Sequence, residues 1–69
     1  MVENEAFVIP LSLVGRSESV SDKTVRRISR RLESEGEIEV QHTPTGRGLL
    51  NISGYRRLRE EILAGSRAA

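Results

Sequence analysis

The segment from Ser21 to Gly36 constrains the fold more than any other part of this 69-residue chain. Ser21 suits a helix N-cap, and Asp22 places a negative charge in the first turn, where the helix dipole favours it. Gly36 suits the position just past a helix C-terminus. Between them Val25, Ile28 and Leu32 recur at i, i+3 and i+7, so a helix over about 22–35 turns one aliphatic stripe inward. At about 100° per residue, Lys23, Arg26, Arg27, Arg30 and Ser34 fall within about 50° of the opposite pole, and Glu33 and Glu35 flank them. A merely solvated helix intersperses both signs of charge, whereas this face carries four cations without acidic i+4 partners on it.

The remaining elements are shorter. Phe7, Val8 and Ile9 form a β-prone stub that Pro10 is expected to end, because proline has no backbone donor for a ladder. Pro10 also suits the first turn of a helix, which predicts a short helix over Leu11–Ser17 with Leu11 and Val14 on one face, although Gly15 weakens it. Val20-Ser21 reads as a tight turn into the long helix. Glu37 to Gln41 alternates polar and apolar residues as a half-buried strand does. Thr43-Pro44-Thr45-Gly46-Arg47-Gly48 supplies a turn, and Leu50 and Ile52 resume the alternation, so a β-hairpin is expected over about 37–53. Ser53 is the expected cap of a last helix over about 54–64, with Tyr55, Leu58 and Ile62 as its buried stripe and a tail that frays from Gly65. The expected fold is mainly α with a small β-hairpin, a single domain spanning 1–69.

Composition limits what such a fold can do. One Phe, one Tyr and no Trp leave burial to Leu, Ile and Val, and no cysteine is present to add a disulfide or a zinc thiolate. A core this thin favours dimerisation as a source of stability. The apolar stretch from Ala6 to Val14 is too short to span a bilayer, and Glu3 and Glu5 precede it where a signal peptide carries basic residues; a cytoplasmic protein is expected. The net charge of +1 conceals segregation. Residues 21–36 hold five cations against three carboxylates and residues 54–69 also sum to +2, whereas residues 1–20 sum to −2 and residues 37–53 to −1. His42 has neither a second His nor a Cys beside it and reads as a plain loop residue, so no metal site, cofactor or catalytic triad is expected. Gly46 and Gly48 sit in a hairpin and do not lead from a strand into a helix, which argues against a phosphate-cradling loop. Arg56, Arg57 and Arg59 are offset by Glu60 and Glu61, as on a solvated face.

An arginine-rich helix face fits the DNA major groove, where Arg donates two hydrogen bonds to guanine O6 and N7. Lys23, Thr24, Arg26 and Arg27, near the helix start, are the expected readers of base edges. Arg30 and Arg31 are expected to neutralise phosphates, and Arg47 leads Thr43, Thr45 and His42 as a donor from the hairpin tip.

The order of elements, with the run VSDKTVRRISRRLESEGEIEVQHTPTGRGLLNISGYRRL over Val20–Leu58, resembles the winged helix-turn-helix domains of bacterial and archaeal regulators. It is closest to MarR-like regulators and to the DNA-binding domain of archaeal riboflavin kinase regulators. In those families an S-x-x-T-V start opens the recognition helix and R-L-E-x-x-G closes it; here these are Ser21, Thr24 and Val25, then Arg31, Leu32, Glu33 and Gly36. A wing and a hydroxyl-capped helix follow, matching residues 42–48 and Ser53. The resemblance implies DNA contacts from Ser21, Lys23, Thr24, Arg26, Arg27, Arg30 and Arg31 and, on the wing, Thr45 and Arg47. A full first helix and the long dimerisation helices of MarR-like proteins have no counterpart in this stretch. The expected function is sequence-specific binding of double-stranded DNA by a small transcriptional regulator or mobile-element control protein, as a homodimer and without catalysis. The alternatives are a winged helix that binds RNA or ribosomes, a module that docks an acidic protein, and an enzyme.

Overall fold

Aliphatic stripes on three helices meet over one short sheet in the computed structural model, which describes residues 6–68. The elements are β1 (Ile9–Pro10), α1 (Leu11–Glu18), α2 (Asp22–Ser34), β2 (Gln41–His42), β3 (Gly48–Leu50) and α3 (Ile52–Ala68). The strands form an antiparallel sheet in the order β1-β3-β2, with Ile9 opposite Leu50, Pro10 opposite Leu49, Gln41 opposite Leu49 and His42 opposite Gly48. Mainly helical structure with a small sheet is therefore the architecture. Glu3 and Glu5 lie outside the described residues.

The predicted stripes find each other in the core. Val25 and Leu32 of α2, Val14 of α1, Leu50 of β3, and Leu58 and Ile62 of α3 are buried together with Ile38 from the segment before β2. Ile28 and Tyr55 pack against this cluster partly exposed, as do Ile9, Leu11, Val20 and Val40. Each fully buried aliphatic side chain contributes about 1.5–3 kcal/mol. α2 packs on both α1 and α3.

Four boundaries differ from expectation. Pro10 lies in β1 and caps α1 from outside its first turn. β1 is an edge strand, where a missing donor is tolerated. The strand expected from Glu37 begins only at Gln41, although Ile38 is buried and Glu37 and Glu39 are exposed as the alternation required. Extending the register opposes Glu39 to Asn51, where the chain turns into α3 and leaves residues 37–39 no strand to pair with.

The last helix starts two residues earlier than expected, because Asn51 and not Ser53 holds its first turn. Asn51 Oδ1 accepts from the Gly54 amide at 2.9 Å. Ile52 consequently occupies the first turn of α3 and is 46% exposed, where a returning strand would have buried it. Helical backbone also continues through Gly65 to Ala68, in the region expected to fray. Among the described residues no helix is long and apolar enough to cross a membrane.

Candidate nucleic-acid interface

Both ends of α2 are fixed by local chemistry. Ser21 Oγ accepts from the Thr24 amide at 3.3 Å and donates to Thr24 Oγ1 at 3.1 Å, the N-cap the sequence announced. At the other end Gly36 adopts φ +76°, which an L side chain rarely takes. That backbone lets Gly36 N donate to Glu33 O at 3.0 Å and Glu37 N to Leu32 O at 2.9 Å, the paired bonds of a Schellman motif.

Before α2, a three-residue turn over Ser19–Ser21 sets its angle to α1. Ser19 is left-handed at φ +57°, and Val20 N donates to Gly15 O at 2.8 Å. A Cβ on Gly15 would lie 2.9 Å from Val20 O and 3.3 Å from Val25 Cγ2. The glycine that weakens α1 as an isolated helix is thus the one that lets α1 and α2 approach closely.

With α2 so held, Lys23, Arg26, Arg27 and Arg30 are exposed and stand along its outer face with Ser34. Among the described residues, no ion pair or hydrogen bond engages the charged groups of these four cations or the guanidinium of Arg47. Arg31 behaves differently: its Nη2 donates to Glu61 Oε2 on α3. Ser21 and Thr24 likewise have their hydroxyls engaged in the cap.

Two arginines of α3, Arg57 and Arg59, are engaged with carboxylates as well. Arg57 Nε donates to Glu37 Oε1 at 2.8 Å and its Nη1 lies 3.0 Å from Glu61 Oε1. Arg59 Nε donates to Glu18 Oε2 at 2.9 Å, tying α3 to α1. These contacts move the titrations in the expected directions. The hydrogen bond from Arg31, with help from Arg57 and against partial desolvation, lowers the Glu61 carboxyl below its ordinary value. The Glu37 hydrogen bond raises Arg57, and the Glu18 hydrogen bond raises Arg59.

The hairpin between β2 and β3 lies beside α2. Thr43 N donates to Arg47 O and Arg47 N to Thr43 Oγ1, both at 3.0 Å, closing the turn around Gly46 at φ +85°. Thr45 Oγ1 lies 3.0 Å from Thr43 Oγ1, so both threonine hydroxyls serve the turn, while the Arg47 side chain is exposed. His42 is no plain loop residue. It sits in β2 with Nε2 3.1 Å from Glu33 Oε2, a brace between the hairpin and the C-terminal half of α2.

Two concavities separate α2 from the hairpin and α1. One is lined by Leu11, Arg26, Ser29, Arg30, Glu33, His42 and Gly48. The other brings Arg16 and Ser12 of α1 to Asp22 and Arg26 of α2 and to Arg47 of the hairpin. Arg26 therefore joins the outer face to the hairpin. Arg16 was absent from the expected set, yet projecting α1 as α2 was projected opposes it to Leu11 and Val14, so its outward position was legible. The Glu33–His42 contact, nine residues apart and across two elements, left no such signal.

Among the described residues, no three His, Cys, Asp or Glu side chains cluster so as to hold a metal ion. No protein-family model matches the chain, and neither does any curated protein or solved structure.

Proposed function

We propose that the chain is a winged helix-turn-helix domain that binds double-stranded DNA sequence-specifically, as a homodimer in the cytoplasm, in the service of transcriptional or mobile-element control. In this reading α1, the turn at Ser19–Ser21 and α2 form the helix-turn-helix, and β2–β3 is the wing. Lys23 and Arg27 reach base edges, and Arg26, Arg30 and Arg47 meet phosphates. Ser21 and Thr24 hold the start of the recognition helix, and Arg31 braces it against α3.

One observation carries the proposal. Arg31, Arg57 and Arg59 are matched to the protein's own carboxylates, whereas the four outward cations of α2 are left to solvent in a single band. Like charges crowded on one face repel, and a polyanion relieves that repulsion while releasing counterions.

The test is selection of bound oligonucleotides from a random duplex pool, followed by titration of the enriched duplex at several salt concentrations. The expected result is a motif with two half-sites about 10–10.5 base pairs apart and an affinity that falls steeply with salt. Failure to enrich any duplex, with tighter binding to structured RNA or to an acidic protein, overturns it.

A further inference from the structure

We propose that Arg16, outside the recognition helix, completes a phosphate clamp with Arg26 and Arg47; the inference deepens the DNA-binding reading and rests on it. Three elements, α1, α2 and the hairpin, each send one arginine to the same concavity, and Ser12 adds a hydroxyl. Its volume of about 430 Å³ is far beyond one water, whose share of the liquid is about 30 Å³. A group the size of a phosphodiester with its hydration fits there.

The charge of the concavity favours an anion. Three guanidinium groups face one carboxylate, that of Asp22, for a net +2 from side chains. None of the three guanidinium groups has an ion pair or hydrogen bond among the described residues, so an incoming oxyanion breaks no existing contact of theirs. Guanidinium planes grip phosphate oxygens through paired N–H donors, and arginines arriving from different directions fix a phosphate more tightly than any one of them. Asp22 repels an anion from the α2 side and steers it towards Arg16 and Arg47. The clamp thereby sets where the backbone enters, and hence the register at which Arg27 and Lys23 meet the bases.

Two measurements test this. In salt titrations of duplex binding, Arg16→Ala is expected to weaken all sequences alike and to lower the slope of log K against log salt by about 0.9, the loss of one phosphate contact. Arg16→Lys is expected to restore the slope, because a point charge suffices for counterion release. Independently of DNA, titration of the protein with inorganic phosphate is expected to shift the Nε–H resonances of Arg16, Arg26 and Arg47 saturably, and more than that of Arg56 on α3. If duplex binds and Arg16→Ala changes neither slope nor affinity, the clamp is overturned while the DNA-binding reading stands. If no duplex binds, that reading falls, and equal phosphate shifts at Arg16 and Arg56 overturn the clamp as well.

Discussion

α2 and α3 are both amphipathic and both rich in arginine, yet they put their cations to opposite uses. On α3, Arg57 and Arg59 reach across to Glu37 and Glu18, and Glu61 collects Arg57 and Arg31. The outer face of α2 keeps Lys23, Arg26, Arg27 and Arg30 exposed and without such partners among the described residues. Composition alone does not separate the two helices, since residues 21–36 and 54–69 carry the same +2. Pairing separates them. An arginine already satisfied by a carboxylate belongs to the fold, and a row left unsatisfied is available to a partner.

Truncations can break this contrast, and the largest effect belongs to the inward side of α2. Leu32→Ala empties a fully buried site and is expected to cost about 2–5 kcal/mol in urea-induced unfolding, whereas the outward cations one turn away are expected to change stability by less than about 0.5 kcal/mol. An outward substitution as damaging as Leu32→Ala would mean that face packs against something.

Next comes the exchange of roles between helices. Arg27→Ala is expected to lose about 1–3 kcal/mol of affinity for a selected duplex and to relax its base preference. Arg57→Ala is expected to do the reverse, lowering the urea midpoint and sparing affinity. Equal losses of affinity on both helices would erase the distinction.

Ser21→Ala sharpens the comparison by removing the cap that starts α2, at a cost of about 1 kcal/mol in thermal or urea unfolding. Its effect on DNA affinity should follow only from the loss of helix order at Lys23 and Thr24.

The smallest effect is on the pH dependence. Because Glu61 titrates below its ordinary value, its contacts with Arg31 and Arg57 stabilise the fold fully above the unfolded-chain value of about 4.3. That stabilisation is lost as pH falls through the lower folded-state value. Glu61→Gln is expected to flatten this part of a stability profile measured below pH 5 and to leave neutral-pH DNA binding unchanged; an unaltered acid limb would show that the α2–α3 bridge contributes nothing.

The sequence itself determined everything that depends on near neighbours. The cap at Ser21, the stop at Gly36, the stripe of Val25, Ile28 and Leu32 and the cationic band opposite it all follow from bonds and angles within one or two turns, which a linear reading can count. Tertiary structure decided what depended on distant partners: where Asn51 bends β3 into α3, why residues 37–39 stay unpaired, and how Gly15 lets two helices meet. It also decided which arginines find carboxylates and which do not. Partners such as Arg59 and Glu18, 41 positions apart, are brought within 2.9 Å only when the core closes, so spacing along the chain holds no trace of them.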